Sequence, residues 1–292
     1  MNELKFLNQL RKFGTFGFVP LFIFSIVLVL PFAQGFFLTF TNWDGFEYDK
    51  FVGLDNYVKS FQDPKFWSTL VFTTKFVLVS LVLINVVAFG LALLVTANLR
   101  SSNVFRTFFF VPNLIGGVVL GVIWQFIFNT ALVSLSQKFE LPFFKESWLN
   151  QTDTAFWALI IVTVWQSSGY MMIIYITGLI SVEQEVLEAA KVDGASAVRT
   201  LYSIKMPLMA QAFTISLFLT LRGGFMAYDV NVALTGGGPY RTTELISLHI
   251  FQDAFAFANF GTGQSKAVVM FVVIAIVALI QVVVSKRLEV QR

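Results

Sequence analysis

One short polar stretch concentrates groups with which this chain can do chemistry. Residues 181–207 read SVEQEVLEAAKVDGASAVRTLYSIKMP and carry Glu183, Glu185, Glu188, Lys191, Asp193, Arg199 and Lys205 between two long apolar runs. A carboxylate on a structured loop can make an ion pair or a charge-assisted hydrogen bond with a soluble partner. That chemistry is docking rather than bond-making. The plainer alternative is an interfacial connector whose charges are simply solvated. The local sequence predicts structure. Ser181 is a suitable N-cap, with Gln184 placed to close a capping box. Glu183 and Glu185 then lie in the first turn, where the helix dipole favours anions. Val182, Val186, Ala189 and Ala190 share one face. Asp193-Gly194 ends the helix, glycine supplying a left-handed cap. A second helical stretch runs from Ala195 to about Lys205, and Met206-Pro207 leads into the next apolar run.

A second group of candidates lies inside the apolar runs, where polar side chains are costly and tend to mark pathways. Trp165-Gln166-Ser167-Ser168-Gly169-Tyr170 interrupts one run. Trp165 and Tyr170 offer aromatic faces for stacking, and Gln166 and Ser167 can bond polar groups of a solute. Helix-packing groups at a small-residue interface are the alternative. Arg222 stands in another run, followed by Phe225 and Asp229. It pairs with Asp229 or another buried acid, or it faces a wet cavity. In a cavity it would grip a carboxylate bidentately, which suits an acidic solute. Lys75, near the end of a third run, is expected to snorkel.

Other chemistry is excluded. The chain has no Cys and a single His, His249, so thiol catalysis, disulfides and a Cys/His metal centre are ruled out. No apolar run carries paired acids or a Ser/Lys arrangement suited to catalysis. Thr235-Gly236-Gly237-Gly238-Pro239-Tyr240 is a turn signal. It lacks the Gly-x-x-x-x-Gly-Lys pattern of a phosphate loop, so no nucleotide site is expected.

The elements that position these residues are membrane helices. Of 292 residues, 57% are hydrophobic and 13% charged, against about a quarter charged in soluble domains. The net charge of +3 is modest, and the cations flank apolar runs, so the bilayer rather than nucleic acid is the implied surface. Six runs are long enough to span: residues 16–40, 70–97, 107–128, 155–180, 208–228 and 267–284. The first follows Lys5, Arg11 and Lys12 and contains Ala33-Gln34-Gly35. It is too long for a signal-peptide core and continues into Phe36-Phe37-Leu38, so it reads as an uncleaved span. With residues 1–15 in the cytoplasm, the inside segments hold Lys5, Arg11, Lys12, Arg100, Arg106, Lys191, Arg199, Lys205, Lys286, Arg287 and Arg292. The outside segments hold Lys50, Lys59, Lys65, Lys138, Lys145 and Arg241. The first set is the larger, which predicts both termini inside, a cytoplasmic tail at 286–292 and a cytoplasmic loop at 181–207. The outer loops are acidic and aromatic, with Trp43, Phe46, Tyr48, Phe51 and Tyr57 in the first. Residues 245–257 form a candidate helix at the outer face.

The spacing Glu188-Ala189-Ala190, three residues, Gly194, nine residues, Ile204, one residue, Met206-Pro207 resembles the EAA loop of ATP-binding-cassette (ABC) import permeases. Three further stretches resemble the carbohydrate branch of that family, the maltose/glycerol-phosphate permease-like A-type. They are Phe51-Val52-Gly53-Leu54-Asp55-Asn56-Tyr57 with Asp63-Pro64-Lys65-Phe66-Trp67, Arg106 to Pro112, and Leu234 to Pro239. Val182 and Met206 depart from the family's usual Pro and Leu. The resemblance covers nearly the whole chain. It implies an all-α membrane protein with the type I importer permease fold of six transmembrane helices. The loop from Glu185 to about Leu201 would be a coupling helix seated in a separate ATPase subunit, with Glu185, Glu188, Ala189, Ala190, Asp193 and Gly194 at the contact. Relatives place sugar-contacting residues upstream of this loop, in the stretch Trp165–Tyr170. Implied partners are a second homologous permease subunit, two ATPase subunits, an extracellular sugar-binding protein and the bilayer. No cofactor is implied on this chain, because ATP and Mg belong to the ATPase. A bacterial plasma membrane is the implied site. A permease for a polyol phosphate or amino acid, and a membrane docking or sensory protein, are the competing readings.

Overall fold

The computed structural model describes residues 13–97, 101–140 and 142–287. Lys5, Arg11, Lys12, Arg100 and Arg292, which enter the orientation argument, lie outside them, as do most of the two terminal segments. Regular structure among the described residues is helical, and the one extended pairing is an isolated bridge between Thr41 and Phe51. The chain divides into a smaller unit, Met1–Pro64 with Ile250–Val269, and a larger one, Lys65–His249 with Met270–Arg292.

The smaller unit contains α1, Phe18–Leu38, and the short α2, Asp55–Gln62. Its aromatic run packs on itself: Phe40 stacks on Phe51 at 6.2 Å, and Trp43 sits 5.4 Å from Phe260. The Asn56 amide donates to both Thr39 O and Thr41 O at 2.8 Å, closing the bend after α1. Lys266, 3% exposed, bonds Asp63 at 2.5 Å and Asp253 at 2.8 Å. A buried ammonium needs such partners, because an unpaired one would cost several kcal/mol of desolvation.

The larger unit is a helical bundle. Its helices are α3 (Pro64–Thr96), α4 (Ser102–Leu114), α5 (Gly117–Phe139) and α6 (Thr152–Ile180), then α7 (Gln184–Val192), α8 (Ala197–Leu208), α9 (Ala210–Phe225), α10 (Asp229–Leu234) and α11 (Ile246–Phe251). The last helix, α12 (Phe260–Lys286), belongs to both units. Among the described residues five helices are long and apolar enough to cross a membrane, or up to six if α8 and α9, bent by 70° at Met209, form one span. Hydrocarbon gives helices no hydrophobic reason to associate, so close packing of small residues must do it. α4 rests on α6 this way: a Cβ on Gly169 would lie 1.9 Å from Phe109 O. Two apolar clusters fill the interior, one around Phe76, Leu159 and Leu221, the other around Ala88, Met172 and Tyr175.

Several local expectations change. The run at 107–128 is not one helix. Pro112 withdraws a donor, Ile115 and Gly116 turn extended, and the membrane-length helix runs instead over Gly117–Phe139. Hydropathy is blind to such a break because both sides of it are apolar. The run at 208–228 yields the shorter α9, and Met206-Pro207 lies inside α8, so the turn into α9 falls at Met209. The other spanning runs keep their place with shifted edges. The capping box does not form. Ser181 ends α6, its hydroxyl donating to Gly178 O at 2.8 Å, and α7 starts behind Glu183 with no side-chain cap. The side-chain cap is Ser196, which accepts from Arg199 N at 3.3 Å at the start of α8. The shared apolar face shrinks to Val182 and Ala190, which are buried while Val186 and Ala189 are exposed.

Candidate functional site

A polar cavity of about 410 Å³ opens among α3, the α4–α5 break, α6 and α9. Of the residues expected on a substrate path, Gln166, Ser167, Tyr170, Arg222 and Asp229 all line it. Helical periodicity explains the first set, since residues 163, 166, 167 and 170 share one face of α6. Trp165 is one residue off that face. It lines a separate apolar groove of about 600 Å³ and packs edge-on against Trp124 at 5.5 Å. Phe225 is also elsewhere: it is 3% exposed, within the apolar core. Spacing in sequence does not say which helix face meets the cavity.

Arg222 forms no ion pair among the described residues and is exposed on the cavity wall, as is Asp229. The expected Arg222–Asp229 pair is therefore not made. The cavity carries one charge of each sign, both open to a ligand. Gln166 has a fixed role, its Nε2 donating to Ile115 O at 3.1 Å. That carbonyl is freed by the break between α4 and α5. Unwound backbone at bundle depth survives only when such a donor reaches it. Hydroxyls and amides that the sequence reading passed over complete the wall: Ser80, Asn113, Thr163 and Thr220. The Ser80 oxygen is buried and has no hydrogen-bond partner among the described residues. Their only signal in the sequence is a lone polar residue in an apolar run. Lys75 lies elsewhere, its ammonium 4.8 Å above the Phe156 ring.

The loop between α6 and α9 is a helix–turn–helix. Gly194 has φ +74°, a conformation that costs other residues a steric penalty. Ala195 N donates to Ala190 O at 2.9 Å and Gly194 N to Lys191 O at 3.2 Å, the paired bonds of a Schellman cap. Glu185, Glu188, Ala189 and Asp193 are exposed, and Ala190 is buried. Glu188 accepts from Gln184 at 3.2 Å within α7 and is otherwise open.

A second charged centre follows the glycine turn. Glu244, 1% exposed, is gripped by Arg241 at 2.6 and 2.7 Å and by His249 Nδ1 at 3.1 Å, with Lys65 at 3.5 Å. Burial alone would raise its pKa. The His249 and Arg241 contacts outweigh burial and hold the carboxyl down at about 2. Asn231 braces the same turn, donating to Thr243 O at 2.8 Å and accepting from Leu245 N at 3.0 Å. Among the described residues no group of three or more His, Cys, Asp or Glu could hold a metal.

Comparison with known proteins fits this architecture. The chain is 42% identical, over 91% of each sequence, to the probable starch degradation products transport system permease protein AmyD of Thermoanaerobacterium thermosulfurigenes. It is 32% identical to the multiple sugar-binding transport system permease protein MsmF of Streptococcus mutans, over 94% of this chain and 96% of that one. Its fold resembles a chain in the crystal structure of a bacterial ABC transporter involved in the import of the acidic polysaccharide alginate. The TM-score is 0.80 at 20% identity, covering 97% of this chain and 98% of that one. Residues 84–290 match the family described as the binding-protein-dependent transport system inner membrane component. That match covers more than half of the chain, and the chain belongs to that family.

Proposed function

We propose that this chain is the permease subunit of an ATP-driven importer for a sugar or oligosaccharide. It forms half of the translocation path and takes its drive from a separate ATPase through residues 181–207. The observation that carries this reading is the single cavity shared by Gln166, Ser167, Tyr170, Arg222 and Asp229, which offers hydroxyl, amide and aromatic groups suited to a polyol. In this reading α8 and α9 make one bent span, giving six spans with both termini in the cytoplasm of a bacterial cell. The full transporter adds a second homologous permease, two ATPase subunits that bind ATP and Mg, and an extracellular sugar-binding protein. The reading is supported by relatives named as sugar permeases. ATP hydrolysis moves the α7–α8 loop, and the spans rock between two states that present the cavity to opposite sides.

The test is reconstitution with these partners and measurement of ATP hydrolysis with the binding protein loaded by each sugar in turn. A stable complex without any ATPase would defeat the reading and favour a docking or sensory protein. Stimulation by an amino acid or polyol phosphate instead would move the substrate class. An acidic sugar is a second reading, favoured by the open Arg222 guanidinium. Under it, Arg222→Gln lowers transport of an acidic sugar and spares a neutral one; equal transport of both removes it.

A further inference from the structure

We infer that Asn85 is a positioning residue for coupling, the centre of a buried hydrogen-bond hub through which movement of the docking loop reaches the cavity. The inference rests on the importer reading. Asn85 lies on α3, 9% exposed. Its Oδ1 accepts from Tyr175 OH of α6 at 2.7 Å and from Ser216 Oγ of α9 at 2.6 Å. Its Nδ2 donates to Leu81 O at 2.7 Å and to Thr220 Oγ1 at 3.4 Å. Thr220 in turn donates to Ser216 O at 2.8 Å. Tyr175 and Ser216 are fully buried, and the Tyr175 ring is held edge-on by Phe89 and Phe213 at 5.4 and 4.9 Å. Three helices thus share one satisfied polar node inside an apolar cluster.

The order along the chain gives the hub its role. On α6 the cavity residues Gln166 and Tyr170 come first, then Tyr175, then Gly178, then the loop. On α9 the bend at Met209 comes first, then Ala212, then Ser216, then Thr220 and Arg222 on the cavity. Between loop and hub, α6 and α9 touch closely, a Cβ on Gly178 falling 2.7 Å from that of Ala212. Tyr175 is five residues, about 7.5 Å of helix rise, from Tyr170. A push delivered at the loop therefore meets a locked three-helix node before it reaches the cavity. Apolar contacts alone would let α6 and α9 slide. Directed hydrogen bonds in a dry interior give discrete arrangements, which is what a two-state element needs.

The test separates coupling from stability. Asn85→Leu strands the Tyr175 and Ser216 hydroxyls and is expected to destabilise the bundle. Adding Tyr175→Phe and Ser216→Ala removes the side-chain bonds that tie the three helices, leaves Thr220 bonded to the backbone of residue 216, and so restores stability. In proteoliposomes holding the complete transporter, that triple variant is expected to keep its ATPase yet move at least about fivefold less sugar per ATP, the lower end of typical coupling energies. A triple variant with wild-type stability and the wild-type ratio overturns the inference. Should the triple variant not fold, Tyr175→Phe alone serves, because Ser216 still satisfies Asn85. It is expected to lower the ratio, and an unchanged ratio overturns the inference. Failure of the wild-type chain to assemble with any ATPase would instead count against the importer reading.

Discussion

The side-chain amide of Gln166 holds the backbone of Ile115 across two helices, at 3.1 Å, where the α4–α5 break frees a carbonyl. One residue thereby supports the unwound corner of the cavity and lines its wall. Gln166→Leu leaves that carbonyl without its donor inside the bundle, at a cost of about 1–3 kcal/mol. Gln166→Glu, a carboxylate that cannot donate, is expected to cost as much. Thermal unfolding in detergent measures both, and an unchanged midpoint in either counts against the role given to Gln166.

Ser80 offers the opposite sign. Its buried hydroxyl has no partner in the unliganded cavity, so Ser80→Ala removes a desolvated group and leaves the melting temperature unchanged or raised. If a sugar hydroxyl satisfies Ser80 during transport, the apparent KM rises by about tenfold, 1.4 kcal/mol. A lower melting temperature with an unchanged KM would show Ser80 to be a packing group only.

Gly194 tests the docking loop. An added Cβ meets nothing within 4 Å, so the cost of Gly194→Ala is conformational and comes from φ +74° alone. It should be about 1 kcal/mol, borne by the turn between α7 and α8. Gly194→Asn, which tolerates the left-handed region, should be milder. Retention of the ATPase on affinity-purified permease is the readout, expected to fall in the order Gly, Asn, Ala.

Glu244 sets a pH limit. Its pKa falls from 4.5 to about 2 because His249 and Arg241 outweigh burial. A depressed carboxylate gives stability that is fully present above about pH 4.5 and is lost as pH falls toward 2. The shift is worth up to about 3 kcal/mol. Melting temperatures between pH 6 and pH 3 should drop for the wild type and change less for Glu244→Gln. Parallel curves would refute the assignment.

What the sequence disclosed, and what it hid, follows from the range of each interaction. Gly194 was legible because its cap is local: six residues, 190–195, decide it. Four of the five long helices were legible because hydropathy integrates over a whole run, and α5 was displaced because the break before it is apolar on both sides. The Ser181 box failed because Ser181 was already committed to closing α6, a competition a local motif does not reveal. Trp165 and Gln166 are adjacent in sequence yet line different cavities, and only the neighbouring helices decide which face is which. Asn85 was silent for the same reason. Its three partners on other helices lie 90, 131 and 135 positions away.

The Lys266 cluster has a consequence for ionic conditions. The exposed Lys59–Asp55 pair, with side chains 60% and 54% accessible, is bathed in counterions and weakens as salt rises. Lys266, Asp63 and Asp253 are largely shut away from them. Residues 63, 253 and 266 therefore feel salt less than residues 55 and 59 do. Rising ionic strength is expected to loosen the outer pair first and to leave the inner cluster closed longest.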